Sequence, residues 1–229
     1  TSQVLDERSV RRTRLEEMIY FKYKNVYTKV LREDSFKFTR KPPIAVKRVD
    51  VNKGDDEEHN YRSRLVAREI KRRGEESIFA PTPPLEALRL ILSLVAAGAY
   101  WSDTAGGRPG AHRQDDLRLQ ISLIDISRAY FNAKCDPEKP TYVELPPEDY
   151  EPGDEQRCGR LRVSLYGTRD AALNWSLEYS ETLAAAGYVQ GKSNSCLFYN
   201  QELDVSVMVH GDDFVGVGPA KHLDKLKKT

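Results

Sequence analysis

An α+β fold, with an antiparallel sheet backed by helices, is what this sequence predicts, and three observations lead to it. Two apolar alternating runs, residues 205–209 and 214–217, flank the short link His210-Gly211-Asp212-Asp213, the pattern of a β-hairpin. A third apolar, β-prone run carries Ile121, Leu123 and Ile124, ends at Asp125 and reads as a buried strand. Two segments with leucines at helical spacing, residues 85–97 and 171–186, supply the helices.

Taken in order, residues 1–18 are polar and charge-rich, suited to a helix or a frayed arm. Tyr20, Tyr23 and Tyr27 recur near one helical turn and read as a packing stripe rather than a base-stacking platform. Short alternations such as Ile44-Ala45-Val46 point to strands, and residues 52–60 form a turn joining strands 45–51 and 61–67. Pro83 and Pro84 suit a helix's first turn, after which Leu85, Leu88, Leu92 and Val95 should face a sheet. Residues 102–116, rich in Gly with a Pro, read as an inserted surface loop. In the second helix Leu173, Leu177 and Leu183 should face inward, Trp175 should be core, and Gly187 is a good stop. Strands near 195–200 and 205–218 follow, and no repeat is visible.

Composition narrows the class. A chain of 229 residues can bury a good core and hold one or two subdomains. Its longest uncharged apolar run, residues 90–101, is too short for a bilayer and reads as a core helix; no signal peptide opens the chain. Cys135, Cys158 and Cys196 are odd in number and lack metal-binding spacing, so a reducing, intracellular compartment is expected. Residues 1–75 hold 20 Lys+Arg against 13 Asp+Glu, net +7, leaving −6 for residues 76–229. A basic half beside an acidic half suits a protein that tracks phosphates, and equally a solvated charged face.

Asp212 and Asp213 are adjacent carboxylates at a hairpin tip. Asp favours turns for its own local hydrogen bonds, which is one account of the pair. The other is a seat for divalent cations, which take hard oxygen ligands and serve nucleotidyl transfer in pairs. Asp125, costly to bury unless something pairs with it, is the distant third carboxylate such a site requires. On the residues alone it reads equally as a helix cap.

The motifs in their order resemble a reverse transcriptase of the copia-type long-terminal-repeat retrotransposons. Residues 61–68 resemble the family's fingers segment, 79–92 its following helix, and 123–132 the motif of the first catalytic aspartate. Residues 142–147, 158–167 with Asn174-Trp175, 187–199, and 210–214 complete the series, covering roughly residues 40 to 218. There are departures. His210-Gly211 stands where the family has Tyr-Val before the paired aspartates. Thr168-Arg169-Asp170-Ala171-Ala172 replaces Leu-Lys-Gln-Ala-Pro after Gly167.

The resemblance implies the fingers and palm of a right-hand polymerase: an arm at 1–18, fingers at 19–84 and 132–167, palm at 85–131 and 168–229. It implies that thumb and RNase H regions lie outside this chain, a fragment or truncated reading frame. Asp125, Asp212 and Asp213 would be catalytic and hold two Mg2+ ions, with Mn2+ as substitute and the Ile126 carbonyl as a further ligand. Arg62 and Arg64 would contact the incoming triphosphate, Tyr130 would be the steric gate against a ribonucleotide 2′-hydroxyl, and Gly167 would let backbone approach the nucleotide. His210 would lean on the primer end or pack locally. Expected partners are an RNA or DNA template, a DNA or tRNA primer and deoxynucleotides, with no membrane, in cytoplasmic virus-like particles or the nucleus. Two competitors stand beside this: an RNA-dependent RNA polymerase, suggested by Gly-Asp-Asp but opposed by Tyr130, and a decayed or co-opted element without activity.

Overall fold

Asp6 sets the start of the first helix by accepting the Ser9 N–H on its carboxylate at 2.7 Å. That helix, α1 (Glu7–Lys24), stops at Asn25, which turns left-handed (φ 55°, ψ 45°) and returns its N–H to Lys22 and Phe21. The computed structural model describes residues 5–55, 57–71, 74, 77–96 and 119–229. After α1 come strand β1 (Tyr27–Leu31), helix α2 (Arg32–Thr39), hairpin strands β2 (Val46–Asn52) and β3 (Tyr61–Ala67), helix α3 (Leu85–Ala96) and strand β4 (Leu119–Asp125). Strands β5 (Tyr142–Val143) and β6 (Arg157–Leu161), helix α4 (Ala171–Ala185), strands β7 (Val189–Gln190), β8 (Leu197–Asn200), β9 (Val205–His210) and β10 (Asp213–Pro219), and helix α5 (Ala220–Leu226) follow. The sheets are antiparallel, ordered β1-β6-β5, β2-β3 and β4-β10-β9-β8-β7, which with the helices makes an α+β fold. The 102–116 segment falls outside the described residues.

The chain divides into two compact units, Thr1–Ile78 with Tyr130–Trp175 and Phe79–Ala129 with Ser176–Thr229. In the first unit α1 buries Met18 and Phe21 against Leu65 and Ala67 of β3, and Phe21 meets Phe131 edge-on at 5.0 Å. Met18, Phe21 and Leu65 each contribute about 1.5–3 kcal/mol by leaving water. The β2–β3 hairpin has two unlike faces. On the α1 side, Arg14 pairs with Asp50 at 2.6 Å and Arg48 with Glu148 at 2.9 Å. On the other, register puts Lys47, Val49 and Val51 beside Val66, Arg64 and Arg62. Of the tyrosine stripe, Tyr20 packs on the core while Tyr23 is 80% exposed and Tyr27 belongs to β1, because the helix ends at Lys24.

In the second unit α3 packs Ala87 and Ile91 on Met208, Val215 and Val217, with Leu88 and Val95 at the margin. Leu85 and Leu92, expected inside, lie exposed: Glu86, Arg89 and Ser93 form a polar stripe along the helix, Leu85 and Leu92 flank it, and Ala87 and Ile91 lie opposite. Along α4, Tyr179 lies edge-on to Phe198 and Phe214 at 6.1 and 5.8 Å, and Leu183 is buried. Leu177, expected inside, is exposed because the larger aromatic rings take the inner face. Strand β4 is not the buried strand expected: it is an edge strand, and Leu123 is 77% exposed. Among the described residues no helix is long and apolar enough to cross a membrane.

Candidate active site

Asp213 is the register partner of His210, which leaves Gly211 and Asp212 as a two-residue turn between β9 and β10. Gly211 has φ +66° and Asp212 does not share it, the pattern of a type II′ turn with glycine at its first loop position. On its other side Asp213 is the partner of Asp125. The Ile126 N–H donates to the Asp212 carbonyl at 2.9 Å. A bond between the residues flanking a pair marks that pair as non-hydrogen-bonded, the kind whose Cα atoms stand about 4.5 Å apart and whose side chains share a face. Asp125, Asp213 and His210 therefore occupy one face at one end of the sheet, all exposed, with half-buried Asp212 in the turn beside them.

Like charges directly opposite on neighbouring strands repel. No cation among the described residues pairs with Asp125, Asp212 or Asp213. Among the described residues no three His, Cys, Asp or Glu side chains form a ready-made metal cage either. That is compatible with Mg2+, which keeps its waters and binds through one or two carboxylates plus substrate phosphates rather than an all-protein cage. The donor set, hard oxygens with uncompensated charge, fits such an ion.

Tyr130, Arg62, Arg64 and Gly167 belong to the first unit, the carboxylates to the second. Arg62 and Arg64 share the outer face of β3, Arg62 exposed and Arg64 half-buried. The Arg64 guanidinium lies 5.0 Å from the ring centroid of Tyr166, and the Tyr130 ring lies 4.6 Å from the same ring. Gly167 has φ +85°, and a Cβ there would come within 2.1 Å of the Ala67 carbonyl, so only glycine lets the loop press on β3. Arg64, Tyr130 and Gly167 are thus brought together, and Arg62 is on the same strand face. The residue that joins them, Tyr166, was not singled out from sequence. Its one local signal was an aromatic directly before a glycine of special conformation.

Residues 114–229, half of the chain, match the family described as Reverse transcriptase (RNA-dependent DNA polymerase), and the chain belongs to that family. Its motifs and its relatives place it with the copia-type retrotransposon reverse transcriptases. One relative, the Retrovirus-related Pol polyprotein from transposon TNT 1-94 of Nicotiana tabacum, is 24% identical over 181 residues. That stretch is 76% of this chain and 12% of the polyprotein, so the chain spans a small part of that relative's length.

Proposed function

We propose that the chain is an RNA-directed DNA polymerase of a copia-type retrotransposon Pol polyprotein, the first unit acting as fingers and the second as palm. The reaction is template-directed attack of a primer 3′-hydroxyl on a deoxynucleoside triphosphate, extending the primer by one nucleotide and releasing pyrophosphate. The observation that carries this is the ladder pairing of Asp125 with Asp213, which sets carboxylates distant in sequence on one face with no described cation to neutralise them.

Asp125, Asp212 and Asp213 would hold two Mg2+ ions, or Mn2+ in their place, with the Ile126 carbonyl as a further ligand. When bound, the ions lower the pKa of the attacking hydroxyl and offset the charge of the leaving pyrophosphate. The chain's own residues position and select. Arg62 and Arg64 grip triphosphate oxygens in the forked geometry guanidinium allows. Tyr130 meets the sugar edge and excludes a 2′-hydroxyl. Gly167 leaves backbone bare for close approach. Template (RNA or DNA) and primer (DNA or tRNA) complete the assembly, inside the cell. Thumb and RNase H regions would come from elsewhere in the polyprotein.

Primer extension on poly(rA)·oligo(dT) with dTTP and Mg2+ tests the reading, with Mn2+ binding followed by electron paramagnetic resonance as a readout free of chemistry. Asp212→Asn is expected to abolish extension and weaken Mn2+ binding while circular dichroism stays native. Extension retained in that variant would sink the assignment.

A further inference from the structure

Tyr166 sits at the centre of the nucleotide-side residues of the first unit, and the reaction just described gives it no part. Its ring lies 4.6 Å from Tyr130, tilted by 42°, and 5.9 Å from Phe131 in an edge contact. The Arg64 guanidinium lies 5.0 Å from its centroid. Its backbone is pinned as well: the Tyr166 carbonyl accepts the Ala67 N–H at 2.7 Å, and the Gly167 carbonyl accepts the Glu69 N–H at 3.3 Å. The tight approach of Gly167 to Ala67 leaves that strand–loop junction no slack. Ring–ring and cation–ring contacts are directional, so a ring fixed by its own backbone dictates where both partners point.

We propose that Tyr166 is a positioning residue for sugar selection: it braces the Tyr130 ring in its selecting orientation and holds the Arg64 guanidinium in place for the triphosphate. The proposal rests on the reading of Tyr130 as the gate and Arg64 as a phosphate contact, and adds a physical link between them. Selection of the sugar and grip on the phosphates then share one support, whereas Arg62, further along β3, serves the phosphates alone.

The test is equilibrium binding of dATP and ATP, which differ only at the 2′-position, to the whole chain with a dideoxy-terminated primer opposite a template uridine. Wild type is expected to favour dATP. Tyr166→Ala should weaken binding of both and shrink the dATP preference by roughly three- to tenfold, the worth of one aromatic pair. Tyr166→Leu, which keeps apolar volume without the ring, should behave alike, and Tyr166→Phe should restore the preference. Arg64→Ala should weaken both nucleotides by one factor and leave the preference intact. A dATP preference unchanged in Tyr166→Ala and in Tyr166→Leu overturns the proposal while leaving the gate reading standing. Equal binding of the two nucleotides by wild type overturns the gate reading and the proposal with it.

Discussion

In the first unit Asp149 and Asp154 are buried, and each has its cations built in. Lys22 lies 3.0 Å and Lys29 3.5 Å from Asp149, Lys29 lies 2.6 Å from Asp154, and the Tyr27 hydroxyl donates to Asp149 at 2.7 Å. Burial, and then that hydrogen bond, push the Tyr27 hydroxyl well above its ordinary pKa. In the second unit Asp125 and Asp213 are exposed, face each other across a ladder and have no described cation. A carboxylate that serves the fold is neutralised by the fold. A pair left repelling at the tip of a sheet costs stability, and the compensation it lacks is what a bound cation and its phosphates would provide.

The comparison can be broken in four places. The largest expected effect is on chemistry: Asp125→Asn should cut primer extension by roughly 10³-fold or more, as removal of a principal charge-stabilising group does. Its urea midpoint should not fall, and should rise slightly, because this variant too ends the like-charge pair. Next, Asp149→Ala should destabilise the chain by about 1.5–3 kcal/mol, the worth of hydrogen bonds to a charged group. Urea titration followed by tryptophan fluorescence measures it, and a neutral result would remove the distinction between the two sets.

Third comes acid. Burial works to raise the Asp50 carboxyl, but Arg14 and Arg48 outweigh it and hold it below its ordinary value; Arg48 does the same against burial at Glu148. The hydrogen bond from Lys29 likewise lowers Asp154. Because the folded values are depressed, the stability these pairs contribute is complete above the unfolded carboxylate range near pH 4 and fades as pH falls through the folded values. Urea midpoints measured from pH 7 to pH 3 should therefore drop below about pH 4, and Asp50→Asn should lower the midpoint at pH 7 and flatten the drop. The smallest effect has the opposite sign. Asp213→Asn should raise stability by about 0.2–1 kcal/mol, since it ends a like-charge pair. A thermal melt showing a loss instead would mean that Asp213 already has a structural partner.

Sequence pattern revealed what depends on neighbours along the chain. The turn at Gly211-Asp212, the pairing of β2 with β3, and the extents of α3 and α4 all follow from local alternation, spacing and stop residues. Facing was less legible. In α3 the leucine spacing alone pointed to Leu85 and Leu92, whereas the polar stripe of Glu86, Arg89 and Ser93 sets the inner face at Ala87 and Ile91. In β4 an apolar run looks the same in a central strand and at an edge. Paired aspartates are ordinary in a turn, so the hairpin alone did not single them out; the apolar run ending at Asp125 and the ordered motifs resembling a known family did. The role of Tyr166 was not, since its partners Arg64 and Tyr130 are far from it in the chain and no local periodicity encodes such a contact.

Each unit is assembled from two separated stretches, so the units are interleaved along the chain. No single cut releases either one whole. A truncation that ends between β4 and β9 removes strands from the five-stranded sheet while also leaving β4 without its β10 neighbour. The β9–β10 hairpin closes over two residues, whereas β4 must find β10 across the whole inserted stretch Tyr130–Trp175, a far slower search. The exposed carboxylate face is thus completed only after a long-range closure, and amide protons of β4 should exchange with solvent sooner than those of β9.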